Sequence, residues 1–369
     1  MIPFATQKLV IGIAATMAGI YSADQFLAHL EKRELDAQAR HEYETGERLL
    51  RDGRDSESSL TQAIAAFRRA GSLNRDDTSF DLALADALTR GHQPQRAVDA
   101  LARILDKDSN DGPANLLMAR AMDAQQDYPG ANSYYHRAIY GTWLPNQESQ
   151  KMSVRIELVH WLAKRGDQKG LLSELILLEP LAAGNPSAAA VARDLPSLYR
   201  QAGSTNRAID AYHTWLRQNP ADADAYAGLG ETELQSGDFR AARQALDRAS
   251  ELKPDDTTLK QNAGVARTAV ELDPTPRWLS SSEKLARSSR ILDLAITTAS
   301  GCPGEQPADS PLFENAQKLL TEKKPEITNE AAERRLDLAE TIWNTKSGTC
   351  ASPPQQSEIL SALMRKLAQ

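Results

Sequence analysis

The chain has 369 residues, and 43 Lys and Arg against 50 Asp and Glu give a formal net charge of −7. The signs are interspersed, so there is no basic field for nucleic acid, and nucleic-acid binding is not expected. Aromatic residues make up only 5% of the chain. No run of alternating β-branched residues is long enough for a sheet, so the composition predicts an all-α protein.

The N-terminus carries a targeting signal, a charge-free apolar stretch over residues 9–23 that follows Lys8. It fits a cleaved signal peptide poorly, because Tyr21 lies where the cleavage site needs a small residue. A helix from Phe4 to Phe26 covers about 34 Å, enough to span a bilayer. We therefore expect residues 1–26 to form an uncleaved transmembrane signal anchor. Secretion after cleavage and a buried core helix are the alternatives.

The residues after this segment predict a stalk and bear on the side of the membrane on which the rest of the chain lies. Nothing in residues 27–40 breaks a helix, so we expect a helical stalk there. Positive charges on the two sides of the apolar stretch are nearly balanced, so they do not decide the orientation of the chain in the membrane. We expect a single-pass protein of a bacterial-type inner membrane with the rest of the chain on the periplasmic side. The cytoplasmic side is the alternative.

Residues 41–274 repeat a helix–turn–helix pattern about six times. Several copies have a large residue next to a small one in the first helix, and most have an Ala-x3-large pair in the second. The copy that begins near residue 155 is degenerate, and the first copy is stretched by a polar insertion over residues 52–59. The clearest copy turns at Gly237 and reads Tyr226-x2-Leu229-Gly230-x2-Glu233, Ala242-x3-Leu246 and Pro254.

This motif resembles the tetratricopeptide repeat (TPR). The resemblance implies a right-handed superhelical array of helical hairpins, in which the first helix of each hairpin lines the concave surface. It also implies a protein-binding scaffold. The matching positions that we expect to form the partner-binding groove are Leu116, Arg120, Ile156, His160, Lys164, Arg193, Ser197, Arg200 and Glu231.

Four of these groove residues, Arg120, Lys164, Arg193 and Arg200, are cations in the middle of the array. They favour a partner segment that carries carboxylates. The alternative is that they are solvated charges or pair within the array. Family members that clamp an acidic C-terminal tail use a Lys and Asn pair on the first repeat, and no such pair occurs at the matching places here.

Residues 275–369 no longer follow the repeat and predict a small helical cap, with a distinct binding module as the alternative. This region holds both cysteines, Cys302 and Cys350. In an oxidising compartment they predict a disulfide that closes a loop of about 48 residues and stabilises by up to about 4 kcal/mol. In a reducing cytosol they would be two free thiols.

The motifs of catalysis, cofactor binding and metal binding are missing from the sequence, and the six histidines are scattered. We therefore predict a non-enzymatic, membrane-anchored scaffold that needs no cofactor and holds or assembles other proteins of a bacterial cell-envelope or membrane complex. A cytosol-facing adaptor or chaperone-like assembly factor is the alternative. An enzyme with its site in the C-terminal helices is the third hypothesis.

Overall fold

The computed structural model describes residues 4–53, 56–145, 147–182, 189–300, 310–346 and 354–368. Within these ranges the chain forms seventeen α-helices and no β-strand, which confirms the all-α prediction. The chain divides into two compact units, Met1–His160 (unit 1) and Trp161–Gln369 (unit 2).

Unit 1 contains the first six helices and most of the seventh. The helix α1 is continuous from the N-terminal segment through the predicted stalk into the first hairpin. The helices are α1 Phe4–Asp52, α2 Glu57–Leu73, α3 Thr78–Arg90, α4 Pro94–Leu105, α5 Gly112–Ala124, α6 Tyr128–Tyr140 and α7 Glu148–Arg165, which runs into unit 2.

Unit 2 contains two more complete hairpins and the C-terminal helices. Its helices are α8 Gln168–Ala182, α9 Ala189–Gln201, α10 Thr205–Gln218, α11 Ala223–Ser236, α12 Phe239–Leu252, α13 Thr257–Leu272, α14 Ser281–Ser300, α15 Pro311–Thr321, α16 Asn329–Lys346 and α17 Pro354–Leu367.

No described helix combines the length and the apolar character that a membrane crossing requires. The predicted span over residues 4–26 is therefore not supported. Its charge-free part, residues 9–23, covers about 22 Å at about 1.5 Å per residue, which is less than the roughly 30 Å of a bilayer's hydrocarbon core. Lys8 and Asp24 border this part on either side.

The turns between paired helices share one backbone conformation. Five hairpins turn through a residue with a positive φ angle, a conformation that costs little only for glycine. The last three have glycine there, as the sequence suggests, whereas the two in unit 1 have larger side chains. These residues and angles are His92 (56°), Gln126 (65°), Gly166 (70°), Gly203 (72°) and Gly237 (84°).

Aspartates fix the starts of many helices. A carboxylate at the N-cap accepts hydrogen bonds from backbone N–H groups that the helix leaves unpaired. In the clearest hairpin, Asp222 caps α11 and Asp238 caps α12, each through one oxygen 3.0 to 3.1 Å from the backbone nitrogen three residues later. The residues Asp77, Asp111, Asp127 and Asp256 do the same for α3, α5, α6 and α13.

The C-terminal helices pack onto the last helices of the array within unit 2. One core cluster joins Phe239 of α12 and Leu272 of α13 to Leu292 of α14 and to Leu360 and Leu363 of α17, all of them buried. This apolar core covers the side of α13 that a further repeat would otherwise have to cover.

The glycine turn gives a first testable prediction. The change Gly237→Ala should destabilise unit 2 by about 1 kcal/mol, because alanine resists a φ of 84°. The matched control is Gly264→Ala within α13, where an added Cβ meets no atom within 4 Å. This control should stabilise by about 0.5–1 kcal/mol, since glycine weakens a helix interior. Urea unfolding followed by circular dichroism measures both changes, and shifts of the same sign would contradict the prediction.

Candidate functional site

The predicted groove residues are divided between the two units. Unit 1 holds Leu116, Arg120, Ile156 and His160, and unit 2 holds the others, which are Lys164, Arg193, Ser197, Arg200 and Glu231. All of them lie on the first helices of hairpins, namely α5, α7, α9 and α11. In unit 1, His160 is exposed, and Leu116 and Ile156 are half-buried.

In unit 1, Arg120 is already bound to a carboxylate of the same array. Its Nε and Nη2 donate to the two oxygens of Glu157 on α7, at 2.8 and 2.6 Å. The hydroxyl of Tyr135 donates to the same carboxylate at 3.0 Å. Burial, the largest single effect, would raise the pKa of Glu157. The hydrogen bonds and the positive charge of Arg120, together with the hydrogen bond from Tyr135, outweigh burial and leave the pKa below its usual value. Arg120 therefore braces α5 against α7.

In unit 2, Arg200 makes the equivalent contact. Its Nη1 lies 2.9 Å from Oε2 of Glu231 on α11, and Nδ2 of Asn262 on α13 donates to the other oxygen at 3.3 Å. These contacts join α9, α11 and α13, the first helices of successive hairpins and the closing helix. The predicted residues Arg200 and Glu231 thus form a pair with each other.

The remaining predicted residues of unit 2 differ in their exposure. Lys164 on α7 and Arg193 on α9 are exposed, with no ion pair to a carboxylate in the part of the chain that the structure describes. Ser197 donates its hydroxyl to the carbonyl of Asp194 on its own helix, at 2.9 Å. Of the four predicted cations, Lys164 and Arg193 are therefore the ones available to a partner.

A cavity of about 470 Å³ opens in unit 2 between the array and the cap. Of the predicted residues, only Glu231 lines it. The wall of this cavity that α16 and α17 supply has no local sequence motif that shows where these helices pack. Its lining includes Glu231, Leu234 and Gln235 of α11, Asn262 and Val265 of α13, Trp343 of α16, and Glu358, Ala362 and Arg365 of α17.

A second cavity, of about 510 Å³, lies in unit 1 between the first helices α1, α3 and α5. Its apolar lining includes Leu50, Leu82 and Leu117. The α5 residue that lines this cavity is therefore Leu117, which is next to the predicted Leu116 in the chain. Charges of both signs complete the lining, with Glu47 and Arg51 on α1 and Asp86 and Arg90 on α3.

Glu233 is a buried carboxylic acid on α11, at the position where the repeat motif usually has tyrosine. The residue is 5% exposed, and its Oε2 has no hydrogen-bond partner among the described residues. Burial raises the pKa of Glu233 to about 7, and the negative charge of Asp238 adds to the rise. The last hairpin therefore contains a group that titrates near neutral pH.

The geometry of paired helices and repeated turns defines a TPR-like array of helical hairpins. Residues 199–261 match the family model described as tetratricopeptide repeat. The chain is similar to curated proteins that are each far longer than itself. It is 25% identical over 198 residues to the cellulose synthase operon protein C of Pseudomonas fluorescens, covering 52% of this chain and 15% of that protein.

The second relative is superkiller protein 3 of Schizosaccharomyces pombe, 38% identical over 72 residues that cover 18% of this chain and 5% of that protein. Among solved structures, the chain is similar to YrrB, described as a TPR protein with an unusual peptide-binding site. That alignment has a TM-score of 0.41 and 21% identity, and it covers 54% of this chain and 97% of YrrB.

The titration of Glu233 gives a second prediction. As the pH rises from about 4.5 to about 7, the unfolded chain loses this proton while the folded chain keeps it, so stability falls across that window and is lowest above it. The variant Glu233→Gln removes this pH-dependent loss of stability, because glutamine does not ionise. It should be more stable than the parent protein by about 2 kcal/mol at pH 8, with a smaller gain at pH 5.

Urea unfolding at the two pH values measures this difference. The matched control is Glu314→Gln on the exposed surface of α15, which should change stability little at either pH. An equal gain for Glu233→Gln at pH 5 and pH 8 would show that the carboxyl does not titrate in this window.

Proposed function

We propose that this protein is a non-enzymatic scaffold that binds other proteins along the first helices of its hairpins. The observation that carries the proposal is the cavity of unit 1, because three successive first helices supply all of its lining except Phe67 of α2. A cavity lined by apolar side chains and a few charged groups suits a peptide segment. The apolar side chains of the segment enter the cavity, and its polar groups contact the charged side chains of the lining. The family match over residues 199–261 supports the same function.

For unit 2 we propose that the partner segment is acidic. The support is electrostatic, since Lys164 and Arg193 are exposed first-helix cations without an ion-paired carboxylate in the described chain. Arg200 is half-buried and bound to Glu231, so its charge is already matched by a carboxylate of the same array. Any contact of the partner with Arg200 would have to compete with that pair.

We also propose that the protein acts at a bacterial inner membrane, with the array on the periplasmic side, within a membrane or envelope complex. The support comes from the sequence alone, from the apolar stretch over residues 9–23 beside Lys8 and from the pair Cys302 and Cys350. Both cysteines lie outside the described residues. The names of the two curated relatives add no partner to this proposal, because the chain spans 15% and 5% of their lengths.

The acidic-segment proposal predicts the effect of charge reversal. The double variant Lys164→Glu with Arg193→Glu should capture at least about fivefold less partner from solubilised membranes, because like charges would then face the segment. The matched control is Arg217→Glu with Lys318→Glu, two exposed residues on α10 and α15 that line neither cavity. It makes the same change in net charge.

Mass spectrometry of pull-downs at a fixed salt concentration identifies the partner and measures its recovery. Recovery that is equal for the double variant and its control would mean that the partner does not use Lys164 and Arg193.

The proposed location predicts the state of the cysteines. Non-reducing peptide mapping of freshly prepared protein should find Cys302 and Cys350 joined in one disulfide, because an extracytoplasmic compartment is oxidising. The control is the same digest after reduction, in which both peptides should be separate. Two free thiols in the unreduced digest would instead favour a cytosol-facing adaptor.

A further inference from the structure

An exposed tryptophan stands out on the surface of unit 2. Trp278 lies in the connection between α13 and α14 and is 66% exposed, although tryptophan is usually largely buried. One face of its ring is covered by an arginine, because the guanidinium carbon of Arg240 on α12 lies 4.2 Å from the ring centre. Such a stack holds the planar guanidinium in place and leaves its N–H edge free to bind.

Two exposed arginines of this region have no ion-pair partner in the described chain. Arg240 and Arg277 are both exposed, and in the described chain neither has a carboxylate within 4.0 Å. Several other arginines of unit 2 do form such pairs, among them Arg200 with Glu231, Arg248 with Glu251 and Arg267 with Asp247. Trp278 therefore stacks on one unpaired arginine and directly follows a second one in the chain.

The connection that carries Trp278 is fixed at its start. The buried Asp273 accepts hydrogen bonds from the backbone nitrogen and the hydroxyl of Thr275, at 3.0 and 2.7 Å. Its other oxygen lies 2.7 Å from Nζ of Lys366 on α17, and its carbonyl accepts from Arg287 at 2.8 Å. A surface held in this way loses little conformational entropy when a partner binds.

We propose that Arg240, Arg277 and Trp278 form a second docking surface, which binds an acidic protein segment with an aromatic or apolar residue next to its carboxylates. The two guanidinium groups bind the carboxylates, and the open part of the indole ring packs against the neighbouring side chain. Trp and Arg are also the residues that most often dominate the energy of protein interfaces.

The charge of the whole chain favours a protein segment over a lipid surface. A net charge of −7 repels an anionic bilayer as a whole. A short acidic segment can meet the local positive charge of Arg240 and Arg277 without bringing further negative charge close to the protein. This surface is distinct from the two cavities, since none of its three residues lines either of them.

The test measures binding of a fluorescein-labelled peptide with acidic residues on both sides of one tyrosine, by fluorescence anisotropy with the full-length protein. The double variant Arg240→Glu with Arg277→Glu should weaken binding at least about tenfold. Trp278→Ala should weaken it about fivefold, and Trp278→Phe should restore part of the loss. Arg217→Glu with Lys318→Glu, the matched charge control, should bind as the parent protein does.

A further comparison separates this surface from the groove. Lys164→Glu with Arg193→Glu should weaken binding of this peptide clearly less than Arg240→Glu with Arg277→Glu does. Circular dichroism and urea unfolding of each variant show whether it is folded. The proposal is overturned if folded variants of the surface bind as tightly as the charge control, if the parent protein does not bind the peptide, or if it prefers phosphatidylglycerol vesicles to the peptide.

Discussion

Close approach of the two helices in each hairpin is the constraint on which the rest of this structure depends. Gly230 of α11 leaves room for Leu246 of α12, whose Cγ would lie 2.5 Å from an added Cβ, and Gly46 of α1 leaves similar room for Phe67 of α2. Large side chains can then enter the space beside small ones and fill the interior at the density of a folded protein. A hairpin packed in this way still has an apolar face to cover, so it stacks on its neighbours or on the C-terminal helices.

Ion pairs between successive first helices decide which charges remain for a partner. The pairs Arg120 with Glu157 and Arg200 with Glu231 repeat the same arrangement in the two units. Partly exposed pairs of this kind add little stability, about 1 kcal/mol or less. Their larger effect is on recognition, because an arginine that is already paired with a carboxylate attracts a second carboxylate more weakly than an arginine without an ion pair does.

The hairpin of α11 and α12 joins several features that act together. Its first helix lines the cavity of unit 2 and buries Glu233, and its second helix presents Arg240 to Trp278. The C-terminal helix α17 packs beside its turn, where the side chain of Lys366 lies next to Gly237 and over the ring of Phe239. The stability of this hairpin therefore bears on the cavity of unit 2 and on the proposed docking surface at Trp278.

The sequence by itself determined the helical class, the hairpin repeat and the turn glycines, because these follow from contacts between near neighbours along the chain. Only the tertiary structure decided that Arg120 and Arg200 are bound within the array and that α17 forms a wall of the cavity. The two ion pairs join residues that are 37 and 31 positions apart in the chain. The contact between Lys366 of α17 and Asp273 joins residues that are 93 positions apart. These contacts depend on how whole helices pack against one another, and the spacing of residues within one helix does not show that.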